Sequence, residues 1–471
     1  MADTATSPSR FDRSLVEGPI PQAVWKLAWP TMAQNMIGGL QGVIDHALVG
    51  HLVGYAANAA IGVSWQIVLV VIVFITSLYT GMGVLVARYA GANQPDQVNR
   101  VFYQATLATL FLGLVVLAPA GYLLAPSLLD LVHAAPEVKA QALPFLRIFF
   151  LGSIGMLLFF MLGGALRAAG DARTPMGLGI ALTVLNIVFN VVLIAGAGPI
   201  PALGTRGSAL GTALSGLAVA GYGLWKVRSR TLVVQFPGEG RRGVDWGIIR
   251  ALFRFGLPAG FQGVVMNVAG VMLMRYIGSL AQSAQAQAAY AVGYIELFSF
   301  ITWTSVGLAG ATATMAGQNL GAGRPERCLE AARVAARFGL GIAATLGTLF
   351  VVVPRMLLGL FGMDDPGVVA IGVGLLRYLA VSGFFITVAL AYTGALQGTG
   401  DTRSPLFISL ASQVAIPIGT CALLQAWGTL TPEGIWRAIV AGHVTRCALS
   451  VLRFRQGAWR KIVVDLGAAG R

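Results

Sequence analysis

Twelve stretches of the chain are each apolar over about twenty residues or more, with Gly, Pro and Arg marking the breaks between them. A bilayer core of about 30 Å takes about 20 residues of α-helix, so this pattern predicts an all-α membrane protein with twelve transmembrane helices. The first six spans fall at 22–51, 58–87, 99–124, 137–163, 175–197 and 207–226. The second six fall at 248–277, 286–318, 329–353, 366–393, 404–427 and 434–454. Only 11% of the residues are charged, against roughly a quarter in a soluble domain, so most of the chain cannot face water.

Charge then orients the spans. There are 32 Lys and Arg against 18 Asp and Glu, a formal net charge of +14. Such an excess on a soluble protein would suggest nucleic acid, but here the basic residues sit between apolar runs, where they set topology. With the N-terminus in the cytoplasm, 25 of the 32 basic residues lie on the inner side. The expectation is a multi-pass protein of the plasma (inner) membrane with both termini cytoplasmic, contacting membrane lipids and no nucleic acid, and monomeric. Residues 1–21 read as a polar, poorly ordered cytoplasmic tail without a cleaved signal, and 455–471 as a basic cytoplasmic tail.

Chemistry is bounded by what the sequence lacks. None of the four lysines closes a GxxxxGK[ST] loop, so no ATP-phosphate cradle is present, and no HExxH or CxxC spacing occurs to suggest a metal site. Three cysteines, Cys328, Cys421 and Cys447, imply no disulfide framework. No cofactor is expected, and transport would draw on a H⁺ or Na⁺ gradient. An enzyme is disfavoured: two-carboxylate chemistry would need Asp45 and Glu296 about 5–10 Å apart, yet they belong to different halves.

Those halves are copies. GALRAAGDARTP at 164–175 recurs as GALQGTGDTRSP at 394–405, a displacement of 230 with seven of twelve positions identical. The same displacement maps AGANQP at 90–95 onto LGAGRP at 320–325, and a displacement of 228 maps Trp29-Pro30 onto Leu257-Pro258. Six spans per copy is an even number, so both copies enter the membrane from one side and form parallel repeats. The domain reading is an N-lobe at 22–227, a cytoplasmic linker at 228–247 and a C-lobe at 248–454. In the two GDxRxP loops, Asp171 with Arg173 and Asp401 with Arg403 are expected to brace turns, a structural or gating role shared with Pro30 and Pro258.

With Pro30, the run VIDHALVGHL at 43–52, the turn YAGANQP, both GALxxxGDxRxP loops and NIVFN at 186–190, the chain resembles the multidrug and toxic compound extrusion (MATE) family of cation-coupled antiporters over roughly 20–455. The resemblance implies a V-shaped, two-lobed transporter that expels amphipathic, cationic organic compounds while a proton or sodium ion enters. It also implies that the second residue of the helix 5 pair, here Asn190, is commonly an Asp in relatives. Alternatives are a Na⁺-coupled exporter of a metabolite or a lipid-linked saccharide flippase, the latter wanting a cationic central cavity.

Elimination narrows the acids. Of eighteen, only Asp45 and Glu296 lie within apolar spans, where an ionised group costs about 2.5–3.5 kcal/mol unless it finds a partner, water, a cation or a proton. Gln34, Gly38, Gln41 and Asp45 share a helix face, and Asn186 and Asn190 stand one turn apart. This set, Asp45, Asn186, Asn190, Gln34 and Gln41, is the candidate coupling site. One carboxylate rather than two favours H⁺ over Na⁺, which wants several oxygens and negative charge. Glu296 has Tyr290, Tyr294 and Trp303 nearby in sequence, and with Gln262 and Asn267 these are the candidate substrate contacts, where a lipophilic cation would meet charge and aromatic faces. No Asp45 counterpart exists in the second copy, where Leu273 stands.

Overall fold

A computed structural model describes residues 10–238 and 243–462, so the outermost parts of both expected tails, 1–9 and 463–471, lie outside the described residues. Twelve long helical segments are present among the described residues. They are α1 (Ile20–Leu52), α2 (Tyr55–Gly91), α3 (Pro95–Leu131), α4 (Pro136–Gly152 continuing as Ile154–Ala168), α5 (Arg173–Ala195) and α6 (Thr205–Arg228). The second copy supplies α7 (Trp246–Gly278), α8 (Ser283–Gly321), α9 (Pro325–Val352), α10 (Pro366–Thr399), α11 (Arg403–Ala426) and α12 (Pro432–Arg455). Each coincides with an expected span to within two helical turns at either end. Eight are long and apolar enough to cross a membrane by themselves, and α4, bent by 49° at its break, makes a ninth. Two of the others, α1 and α6, are less apolar because they carry the polar side chains from which the site below is built.

Several helices are interrupted where the sequence removes or shifts a backbone bond. Pro30 lies inside α1 and Pro258 inside α7, each deleting an amide donor. Stretches of π-helix at Phe111–Leu117 in α3, Ala291–Leu297 in α8 and Leu410–Ala415 in α11 widen single turns. Such breaks are tolerated at membrane depth where the freed groups are satisfied inside the protein.

Packing divides the chain into two units. One comprises 33–260; the other joins 13–32 to 261 onward. The division falls inside α1 and α7, two residues after Pro30 and two after Pro258. In a bilayer helices gain nothing from hiding apolar surface from lipid, so close backbone approach through small residues must hold them. In the second unit Gly394 and Gly398 of α10 face the carbonyls of Ala309 and Ala313 of α8, and a Cβ at either glycine would collide with those oxygens. The first unit does the same where Gly155 of α4 lies on the backbone of Gly216 and Leu217 in α6. Around these seams stand buried clusters, with Phe145, Phe149 and Phe150 in the first unit and Phe298, Leu375 and Trp436 in the second.

Two segments outside the expected spans, the N-terminal stretch and the described part of the linker, are docked. From Phe11 the N-terminal stretch is folded: Leu15 and Val16 are buried, and the carbonyls of Leu15, Val16 and Gly18 accept bonds from Asn319, Arg324 and Arg327. This corrects the expectation of a poorly ordered tail, because three side-chain donors of the second copy satisfy its backbone. The linker lies along α3, with the amide of Gln235 donating to Asn99 Oδ1 at 2.9 Å and Arg100 pairing with Asp245 at 2.7 Å.

Repeat symmetry is clearest at the two GDxRxP loops. Gly170 and Gly400 close α4 and α10 with φ of 101° and 94°, a left-handed conformation that only glycine adopts without strain. The next residue caps the following helix: Asp171 Oδ1 accepts from the amide of Thr174 at 3.0 Å, and Asp401 Oδ1 from that of Ser404 at 3.1 Å. Bracing therefore comes from backbone amides rather than from Arg173 and Arg403, which are exposed. Asp401 has in addition Arg453 Nε at 3.1 Å.

Candidate coupling and substrate sites

Along α1 each polar residue of the stripe meets a side chain of another helix in the first unit. Gln34 Oε1 accepts from Arg167 Nη1 of α4 at 3.0 Å, and Gln41 Oε1 accepts from Thr183 Oγ1 of α5 at 2.8 Å. Asp45 Oδ1 accepts from Asn190 Nδ2 of α5 at 2.9 Å. Thr183, Asn186 and Asn190 follow at spacings of three and four, so α5 presents one polar face.

The chain of bonds continues from the carboxylate into α6. Asn190 Nδ2 also donates to Asn186 Oδ1 at 3.2 Å, Asn186 Nδ2 to Thr212 Oγ1 at 3.1 Å, and Thr212 Oγ1 to the carbonyl of Ser208 at 3.1 Å. All members are deeply buried: Asp45 is 6% exposed and both asparagines 0%. Gly211 makes room for this, since a Cβ there would strike Asn190 Oδ1. That oxygen is buried without a hydrogen-bond partner, beside a carboxylate. The arrangement is a cluster of oxygens around one acid, suited to receive a proton or a small cation.

Two members were not among the expected site residues. Thr183 and Thr212 share helix faces with Asn186, Asn190 and Ser208, a spacing signal present in the sequence. Arg167 stood among the inner-side charges that orient the spans, yet it is hydrogen-bonded to Gln34.

The second unit repeats this framework without the acid. Gln262 stands where Gln34 maps and Gln397 where Arg167 maps, and Gln397 Nε2 donates to Gln262 Oε1 at 3.2 Å. Gln262 Nε2 donates in turn to Ser409 Oγ at 2.8 Å. Leu273, in the place of Asp45, is buried. Asn267 turns back on its own helix, donating to the carbonyl of Gly263 at 2.9 Å.

The aromatic residues near Glu296 fall into two groups. Tyr290, Tyr294 and Trp436 are stacked, with centroids 4.9 Å apart for the tyrosines and 6.1 Å for Tyr290 and Trp436. Tyr290 closes the α-helical stretch and Tyr294 lies in the π-helical turn that follows, with their rings face to face. Phe300 and Trp303 form a separate edge-on pair at 5.6 Å. Glu296 is half-buried; its carbonyl accepts from Ser299 Oγ, and its carboxylate makes no hydrogen bond or ion pair with the described residues. Tyr290 and Tyr294 line a cavity of about 200 Å³ within the second unit, and Glu296 is not among the residues around it.

Two six-helix repeats, with an acid buried among amides in the first, define a membrane transporter built by duplication. The family is then shown by the sequence: the MatE model matches residues 30–192 and 258–422, one match per repeat, and the chain belongs to this family of MATE multidrug efflux transporters. It is 28% identical over 447 residues to a probable multidrug resistance protein NorM of Thermotoga maritima, covering 93% of each chain. It is 25% identical to a probable multidrug resistance protein YoeA of Bacillus subtilis, covering 92% of each. Among solved structures, an outward-facing multidrug resistance MATE transporter of the MOP superfamily superposes with a TM-score of 0.88 at 21% identity, covering 97% of this chain and 100% of that one. A MOP superfamily transporter from Pyrococcus furiosus, described as having a binding pocket of reverse polarity, gives 0.88 at 22% identity with the same coverage.

Proposed function

We propose that this chain exports amphipathic organic compounds in exchange for protons by alternating access, with Asp45 as the group that carries the proton. The observation that supports the reading is the bond from Asn190 to Asp45, continued through Asn186 to Thr212 in the buried interior of the first unit. A carboxylate buried at membrane depth is a functional group by default, and a proton is one way its charge can be accommodated there. Sodium is the second reading, favoured by the unmatched Asn190 Oδ1, but the site has one carboxylate to offer it.

Substrate contacts lie in the second unit in this reading, where the stacked tyrosines supply aromatic faces and Glu296 offers a negative charge to cationic compounds. In this reading small molecules and membrane lipids are the partners and the working form is a monomer, and the excess of basic residues counted to the inner side supports cytoplasmic ends in the plasma membrane. Purified protein in liposomes loaded with a fluorescent amphipathic dye tests the reading. Efflux driven by a pH step and indifferent to a sodium step is the expected result, and efflux driven by sodium alone overturns it.

A further inference from the structure

The outward face of α6 ends in an aromatic pair and three cations that meet no acid among the described residues. Leu214, Leu217, Tyr222 and Trp225 are exposed along the helix, the last two at 50% and 61%. The rings of Tyr222 and Trp225 are stacked with centroids 5.9 Å apart, and Lys226 lays its ammonium over the Tyr222 ring at 5.3 Å. Beyond it Arg228 and Arg230 are exposed. Arg230 takes a left-handed conformation with φ of 58°. Thr231 then bonds back to the Lys226 carbonyl through its amide at 3.2 Å and its hydroxyl at 3.0 Å, which keeps the three cations at the helix end. None of the three forms an ion pair with the described residues. Arg10 joins them from the N-terminal stretch, donating to the carbonyl of Leu232 at 3.4 Å. Burial and then the charge of Arg230 hold its guanidinium below the usual range, against the pull of Asp96.

The second copy closes the same helix differently. α12 is as long as α6, 24 residues each, and a displacement of 227 sets Trp225-Lys226-Val227-Arg228 against Leu452-Arg453-Phe454-Arg455. There Arg453 Nε bonds to Asp401 at 3.1 Å and to Ser404 at 2.8 Å. The aromatic pair of that end, Phe454 stacked on Trp459, is buried, each ring residue 1% exposed. Arg446, also on α12 and counted from sequence to the inner side, is turned inward and 5% exposed. Orienting a span requires basic residues in number. It requires no exposed aromatic pair beside unpaired cations, and α12 dispenses with both.

Tyr and Trp standing half out of a membrane protein mark the headgroup layer, where an apolar ring and a polar edge are both satisfied. Cations just beyond that layer attract anionic headgroups, Lys as a mobile point charge and Arg as a fork of donors matched to phosphate oxygens. The exposed apolar residues from Leu214 to Trp225 give acyl chains a surface on the same helix. We infer that the end of α6 is a binding site for an anionic phospholipid, its phosphate among Lys226, Arg228 and Arg230 and its glycerol region against Tyr222 and Trp225. The inference goes beyond the export reading and does not depend on what is exported or on which ion drives it.

The test is native mass spectrometry of the full chain in detergent, titrated with phosphatidylglycerol and with phosphatidylcholine of identical chains. Each basic group near an anionic lipid is worth about fivefold in affinity, so the parent should bind phosphatidylglycerol at least about tenfold tighter than phosphatidylcholine. Lys226→Gln with Arg230→Gln should bring the two lipids to within about threefold of each other. Arg333→Gln with Arg337→Gln removes two exposed charges of α9 instead and should leave the preference in place. Lys226→Arg with Arg230→Lys keeps the charges and should keep the preference; its loss there would assign the effect to disturbed packing and overturn the inference. Glycerol phosphate, the headgroup without chains, should not displace bound phosphatidylglycerol at equal concentration, and displacement would make this a site for soluble anions and contradict the lipid assignment. Equal affinities for the two lipids in the parent, or an equal loss in the α9 pair, would likewise overturn it.

Discussion

Asn190 donates its amide to Asp45 across α5 and α1 at 2.9 Å, while its own amide oxygen stays buried without a partner. The pair thus holds one carboxyl group, one amide donor and one spare acceptor in a pocket cleared by Gly211. From this relation follow the expectations for ion coupling.

Asp45→Asn replaces the only acid of that cluster with an isosteric amide. Efflux driven by a pH step should fall at least about tenfold, since the protonation switch is gone, while removing a buried charge leaves insertion and thermal stability intact. Efflux assays beside a thermal unfolding curve check both halves of the statement.

Asn190→Asp adds a second carboxylate at hydrogen-bond distance from the first, where Asn190 Nδ2 now stands 2.9 Å from Asp45 Oδ1. Two like charges this close cannot both stay ionised without a cation between them. The variant should acquire stimulation by sodium that the parent lacks, read as efflux against sodium concentration at fixed pH. A parent already dependent on sodium would contradict the argument from carboxylate count.

Gly211→Ala puts a methyl group where Asn190 Oδ1 now sits. Overpacking of this kind costs about 1–3 kcal/mol, so the melting temperature should drop by several degrees and pH-driven efflux should fall with it. Alanine at Gly221, where an added Cβ meets nothing within 4 Å, is the control and should change neither.

Much of this architecture is legible in the sequence because bilayer thickness imposes a length and duplication imposes a register. The coupling stripe was legible too, since Asp45, Gln41 and Gln34 share one helical face and Asn186 and Asn190 another. Arg167 and Arg446 were not: an arginine near a span end has the same sequence signature whether it faces headgroups or turns inward, and only tertiary packing separates the cases. The π-helical turn at 291–297 was also invisible, because one widened turn leaves no trace in an apolar pattern. Residues 11–18 looked like tail because their polar composition hides that Leu15 and Val16 are covered by the second copy.

The two capping acids give a graded expectation for stability. Asp401 accepts from the Ser404 amide, Ser404 Oγ and Arg453 Nε, whereas Asp171 has the Thr174 amide. Asp401→Ala should cost about 2–3 kcal/mol and Asp171→Ala about 1 kcal/mol, in line with loss of caps and a charged bond. Arg403→Ala, at an exposed position, should stay within about 0.5 kcal/mol. Thermal unfolding of the three variants in detergent ranks them.

The central claim is that Asp45 gives up a proton when substrate binds, and the most direct measurement is proton release from purified protein in weakly buffered detergent, followed with a pH dye as substrate is added. The parent should release protons on binding, and Asp45→Asn should bind substrate and release none. Equal release by parent and variant, or sodium-dependent substrate binding without proton release, would contradict the account.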